Sequence, residues 1–60
     1  MDPHIRCEKH GALGLLVLDR PKALNALTHG MISGLTAQLK IWAGDDTIKA
    51  VAIRGAGGHI

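Results

Sequence analysis

The chain of 60 residues has no phenylalanine and no tyrosine, and Trp42 is its one aromatic residue. Its core must therefore be built from Leu, Ile, Val, Met and Ala, and it has no aromatic platform on which nucleic-acid bases could stack. A single cysteine, Cys7, excludes an internal disulfide, and no Cys/His set has the spacing of a zinc site. The basic residues Arg6, Lys9, Arg20, Lys22, Lys40, Lys49 and Arg54 are scattered, and the formal net charge is only +2. Without a basic stripe, nucleic acid is not an expected partner. The longest apolar run, residues 13–18, is far below the roughly 20 residues that a membrane-spanning helix requires, so no membrane partner is expected either. The start, Met1-Asp2-Pro3, has no basic segment leading into an apolar stretch, and its acidic second residue argues against a transit peptide. A reducing cytoplasm is the expected location.

A chain of this length makes at most one small domain and buries only about 60% of the surface exposed when unfolded. Domains this small normally need a disulfide, a metal or a second subunit, and the first two are missing. The expectation is that the chain is the front part of something larger, or is stable only beside a partner.

What is present reads as an α/β chain. Ile5, Cys7 and Lys9 alternate with His4, Arg6 and Glu8, the period of a half-exposed strand, and His10-Gly11-Ala12 supplies a hairpin turn. The second arm, Leu13-Gly14-Leu15-Leu16-Val17-Leu18, is apolar on both faces and should lie deeper than the first. Pro21 lacks an N–H and biases Arg20 towards extended geometry, so the strand ends there. Leu27, Thr28 and Ile32 have the spacing of an N-cap with a hydrophobic staple, and Met31, Ile32, Leu35, Leu39 and Trp42 continue at helical spacing to about residue 43, with Gly44 as cap. Residues 48–54 return as a third, β-branched strand. A helix joining two strands of one sheet predicts that the second and third strands are parallel.

Few residues offer chemistry on their own. Gly55-Ala56-Gly57-Gly58 lacks the third glycine of a dinucleotide fingerprint, since Ile60 stands there, and lacks the Gly-Lys-Ser/Thr of a Walker loop. It reads as a flexible exit from the strand. His4, His10, His29 and His59 share no helix-face spacing and have no sequence-local carboxylate to orient them, so they read as surface residues. Cys7 reads as a small packed side chain rather than a nucleophile. Asp45 and Asp46 read as turn residues satisfying local backbone donors. Trp42, in phase with Leu35 and Leu39, reads as core or interface. Lys22 stands apart: it follows a proline, joins no helix face, and projects from a loop at the carboxyl end of a strand, where open α/β sheets meet their ligands. Contact with an anion is one expectation for it.

The stretch Leu18-Asp19-Arg20-Pro21-Lys22-Ala23-Leu24-Asn25-Ala26-Leu27-Thr28, an amphipathic helix, and then Val51-Ala52-Ile53-Arg54-Gly55-Ala56-Gly57-Gly58 together resemble the opening of the enoyl-CoA hydratase/isomerase (crotonase) superfamily. Within it, Asn25-Ala26-Leu27-Thr28-His29-Gly30-Met31, Trp42 and the glycine exit are most similar to the 3-hydroxyisobutyryl-CoA hydrolase branch. The resemblance implies a β-β-α-β portion of the crotonase (ClpP/crotonase-like) spiral fold, residues 1–60 being the N-terminal fragment of one domain. It further implies an acyl-CoA substrate, with CoA entering as part of the thioester and no prosthetic group. Lys22, Ala23 and Leu24 would line the CoA site through backbone and the lysine's charge, and Asn25 would brace that loop. An oxyanion hole of two backbone amides, and all acid/base carboxylates, would follow beyond Ile60. No catalytic residue is thus expected within the chain, which by itself should be inactive, while its parent could form a homo-oligomer. The alternatives are an enoyl-CoA hydratase or isomerase of the same fold, and, from another class, a small non-catalytic module binding CoA or a partner through Met31, Leu35, Leu39 and Trp42.

Overall fold

In a computed structural model that describes residues 3–58, the elements run β1 (Ile5–His10), β2 (Leu13–Leu18), one turn of 3-10 helix (Pro21–Ala23), α1 (His29–Ala43), β3 (Ala50–Gly55) and a kinked turn (Ala56–Gly58) in which Gly57 leaves helical geometry. This is the β-β-α-β order that the hydrophobic periodicity predicts. The sheet order is β1-β2-β3, with β1 antiparallel and β3 parallel to the central β2. In the hairpin, His10 faces Leu13 and leaves a two-residue loop. Gly11 takes φ 60° at its first position, the positive value that a type II′ turn demands and that glycine adopts without strain.

The register sorts the sheet into two faces. Ile5 lies opposite Leu18 and Cys7 opposite Leu16, on the face covered by α1; Arg6 and Glu8 lie opposite Val17 and Leu15 on the other. Ile5, Leu18 and Met31 form the buried cluster, with Cys7 and Leu35 packed against it. Leu16 and Val17 are fully buried, which agrees with the expectation that the second strand lies deeper. Burial raises the Cys7 thiol above its usual pKa, as suits a packed rather than a nucleophilic cysteine.

Gly14 is the one position in β2 without a side chain, and α1 uses the gap. The ring of Trp42 lies so close that a Cβ at position 14 would stand 2.6 Å from its Cε3. Trp42 is consequently buried. The helix itself starts at Thr28, whose Oγ1 accepts the Met31 N–H at 3.1 Å. Leu27 and Ile32 are each about half exposed, so the staple predicted around this cap is not a buried one. After the helix, Gly44 has φ −93° and needs no left-handed conformation; its N–H reaches Ile41 O at 3.2 Å and the Asp45 N–H reaches Trp42 O at 3.1 Å. Asp45 is a turn residue as predicted: its Oδ1 accepts the Thr47 hydroxyl at 2.6 Å and the Thr47 N–H at 2.9 Å. These bonds, with Lys9 near its other oxygen, hold its carboxyl below the usual aspartate pKa.

Three sequence expectations are corrected. Met31 and Trp42 are not an open interface, because the sheet buries both; the large exposed apolar residues of α1 are Ile32, Leu39 and Ile41. The third strand is shorter than its apolar run, and Val51 and Ile53 are 42% and 46% exposed, because α1 lies over β1 and β2 and leaves β3 at an uncovered edge. Finally, His10 does have a carboxylate partner, its Nε2 lying 2.8 Å from Glu8 Oε1. Side chains two apart on a strand share a face, and this bond holds Glu8 below its usual pKa. His4 and His29 are exposed as predicted, whereas His59 lies outside the described residues.

Two substitutions test this packing by chemical denaturation. Gly14→Ala is expected to destabilise by about 2 kcal/mol through overpacking, and by less than half as much when Trp42→Leu has already removed the ring. Thr28→Ala, which deletes the cap acceptor, is expected to cost about 1 kcal/mol.

Candidate functional site

The carboxyl ends of β2 and β3 lie side by side because the two strands are parallel, with Leu18 opposite Gly55. The chain leaves β2 through residues 19–28 and leaves β3 through the glycine-rich exit, so both segments gather at one end of the sheet. Ligands of open α/β sheets meet backbone at this end.

The first segment is a tightly bonded turn. Pro21 occupies the first position of the 3-10 turn, where its missing N–H costs nothing. The Ala23 and Asn25 N–H groups both reach Arg20 O, at 3.1 and 2.8 Å, and the Leu24 N–H reaches Pro21 O at 3.0 Å. Lys22 is therefore part of a single helical turn, which corrects the reading that it joins none: the turn ends after Ala23, where Leu24 and Asn25 take φ 53° and 60°. Two successive non-glycine residues in the left-handed region need outside support.

Asn25 supplies that support. It is 2% exposed, and its Oδ1 accepts the Arg20 N–H at 2.7 Å while its Nδ2 donates to Ala56 O at 2.9 Å. Its brace of the loop, implied by the resemblance, is present, and it extends further than expected, into the exit of β3. The Arg20 guanidinium closes the turn from outside, Nη1 donating to Ala26 O at 3.1 Å.

Of the residues predicted to line a ligand site, Lys22 is exposed, Ala23 is half-buried and Leu24 is 63% exposed. Lys22 borders an open depression with His4, Asp19, Arg20 and Pro21. Asp19 there is paired with Arg6, at 3.7 Å from its Nε, which leaves the local charge weighted towards Arg20 and Lys22. An anionic group suits such a surface. Ala23 and Leu24 offer chiefly backbone, since neither side chain has a polar atom. Among the described residues no group of three or more His, Cys, Asp or Glu could hold a metal ion. The long-range partner of Asn25 was not legible from residue types, because only the parallel register brings position 56 beside position 25.

Comparison with known proteins gives this site a context. Residues 13–60 match the family described as enoyl-CoA hydratase/isomerase. The mitochondrial 3-hydroxyisobutyryl-CoA hydrolase of Xenopus laevis is 52% identical over 50 residues, which are 83% of this chain and 13% of that protein. A probable mitochondrial enoyl-CoA hydratase of Dictyostelium discoideum is 41% identical over 49 residues, 82% of this chain and 18% of the relative. Among solved structures, a carnitinyl-CoA dehydratase from Mycobacterium thermoresistibile superposes with a TM-score of 0.88 at 43% identity, over 93% of this chain and 16% of that one. The chain thus spans less than a fifth of the length of each of these proteins. The expectation of a cytoplasmic location is overturned, because these hydrolase and hydratase relatives are named mitochondrial enzymes. The expectation rested on residues 1–3 of a chain whose matched part is 13% of the Xenopus laevis relative, and those residues do not bear on where such a protein is addressed. With the family match over residues 13–60 and the close superposition of its β-β-α-β unit, the chain belongs to the enoyl-CoA hydratase/isomerase family and has the crotonase-type fold of that family.

Proposed function

We propose that this chain is part of a mitochondrial acyl-CoA enzyme, most specifically a 3-hydroxyisobutyryl-CoA hydrolase, in which residues 20–26 form one wall of the CoA site. The observation that carries the reading is the braced turn at the carboxyl end of β2, with Lys22 exposed on it and Leu24 and Asn25 held in left-handed geometry. A rigid turn of this kind presents backbone groups to a ligand with little loss of conformational freedom on binding. Lys22 would attract a phosphate of CoA, and the backbone at Ala23 and Leu24 would meet the polar groups of the ligand. CoA would enter as part of the substrate, with no resident prosthetic group. The hydrolase reading draws support from the 52% identity to the Xenopus laevis enzyme, and the hydratase or isomerase reading from the Dictyostelium discoideum relative.

The chemistry divides along physical lines. Attack on a thioester, or addition to its conjugated double bond, builds negative charge on the thioester oxygen, and a pair of backbone N–H groups is the stabiliser best suited to that position. A hydrolase then needs carboxylates that position and activate water against the carbonyl carbon, and a hydratase needs them against the double bond. The carboxylates among the described residues are otherwise placed: Asp19 is paired with Arg6, Glu8 with His10, and Asp45 and Asp46 sit at the turn between α1 and β3, at the opposite end of the sheet. We therefore assign residues 1–60 to binding, within one crotonase-type domain, and assign no catalytic residue among them.

Calorimetric titration of CoA into the intact protein tests the wall. Lys22→Glu is expected to raise Kd about tenfold, on the order of 1.4 kcal/mol, by losing one charge-assisted contact and adding repulsion; an unchanged Kd would remove Lys22 from the site. In a thioester assay the purified 60-residue chain is expected to give no turnover. With the intact protein, release of free CoA thiol from 3-hydroxyisobutyryl-CoA supports the hydrolase, and loss of enoyl absorbance with the thioester intact supports the hydratase.

A further inference from the structure

Asn25 does more than its loop requires. Holding the turn at residues 20–26 needs only the Oδ1 acceptor on the Arg20 N–H, and the Asn25 N–H on Arg20 O adds a second tie within the same turn. The Nδ2 donor is spent elsewhere, on Ala56 O, 31 residues away in sequence and on the far side of the helical crossover. That carbonyl belongs to the first residue past β3, immediately before Gly57 and Gly58, which take φ 74° and 83°. Glycines in this geometry have little conformational preference of their own, so their amide directions are set by what anchors the chain beside them. Both anchors stand on the strand side of these glycines: the β3 ladder, ending at Gly55, and then the Asn25 amide on Ala56 O, the carbonyl of the peptide plane that also carries the Gly57 N–H. Because Asn25 is 2% exposed, water competes poorly for these side-chain bonds.

We propose that Asn25 is a positioning residue that locks the turn at residues 20–26 to the exit at residues 56–58, so that the two backbone segments at the carboxyl end of the sheet move as one body. A ligand held by the turn then fixes the direction of the amides in the exit. The ligand half of this proposal rests on the reading of the turn as a CoA wall, while the mechanical half stands on the bonds alone. Aspartate is the discriminating substitution. It tolerates positive φ and keeps an acceptor for the Arg20 N–H, but its second oxygen cannot donate to Ala56 O and repels it. Glycine keeps the backbone geometry and deletes the side-chain bonds to the Arg20 N–H and Ala56 O.

Hydrogen exchange read by mass spectrometry on the intact protein tests both halves. In the free protein, Asn25→Asp is expected to speed exchange at residues 55–58 at least tenfold while residues 14–17 of β2 stay unchanged, and Asn25→Gly to speed exchange at residues 20–26 and 55–58 together. Faster exchange at residues 20–26 alone would overturn the lock. Uniform acceleration through β1, β2 and β3, or failure of both variants to fold, would also overturn it, since Asn25 would then serve the whole fold. With CoA as the probe, protection is expected at both segments in the unsubstituted protein and only at residues 20–26 in Asn25→Asp. Protection at residues 20–26 but not at the exit in the unsubstituted protein would sink the ligand half. Protection at neither would sink the CoA-wall reading and with it the ligand half, leaving the mechanical half to be judged on the exchange of the free protein.

Discussion

Strand β2 is hydrogen-bonded along both edges, antiparallel to β1 and parallel to β3, and the position of every other element follows from that double pairing. The antiparallel side needs only the two-residue loop at Gly11 and Ala12. The parallel side needs a crossover long enough to carry the chain back to the start of the sheet, and α1 supplies it. Once β2 and β3 point the same way, their exits lie together. The site is a consequence of strand direction before it is a consequence of any side chain.

The helix is held over β1 and β2 by contrasting contacts at its two ends. Near its start, Met31 packs with Ile5 and Leu18 in an ordinary aliphatic cluster. Near its end, Trp42 needs a missing side chain at Gly14 to come close enough to be buried. That large ring supplies apolar area which a core without Phe or Tyr otherwise lacks. The same placement leaves β3 uncovered, with Val51 and Ile53 open. Marginal burial of this kind is what physical scaling leads one to expect of so short a chain.

At the carboxyl end of the sheet, polar satisfaction takes over from packing. The Asn25 side chain is buried and has both ends of its amide engaged, so the left-handed Leu24–Asn25 pair is stabilised where it would otherwise be strained. Lys22 is left exposed on the rim of a depression weighted towards positive charge. A braced backbone beneath and an exposed cation above are features that suit an anionic group. They also explain why the apolar residues around Lys22 carry little side-chain chemistry of their own.

The order of elements was legible because it depends on periodicity and punctuation: alternation in residues 4–9, the apolar run 13–18, Pro21, the Thr28 cap and the helical spacing to Trp42 are all local. The family was legible in residues 18–28 and 51–58, and the match over residues 13–60 bears it out. The Glu8–His10 pair was also within reach, since a strand places i and i+2 on one face, and it was missed. Other features were beyond local pattern. That Gly14 makes room for Trp42, that Ala56 receives the Asn25 amide, and that β3 is an open edge each join residues far apart in sequence. The sequence by itself determined which segments are strands, helix and turn, because backbone preference and amphipathic period act over a few residues. Only the tertiary structure decided which of them touch, because strand register and helix placement are set by the packing of the whole sheet.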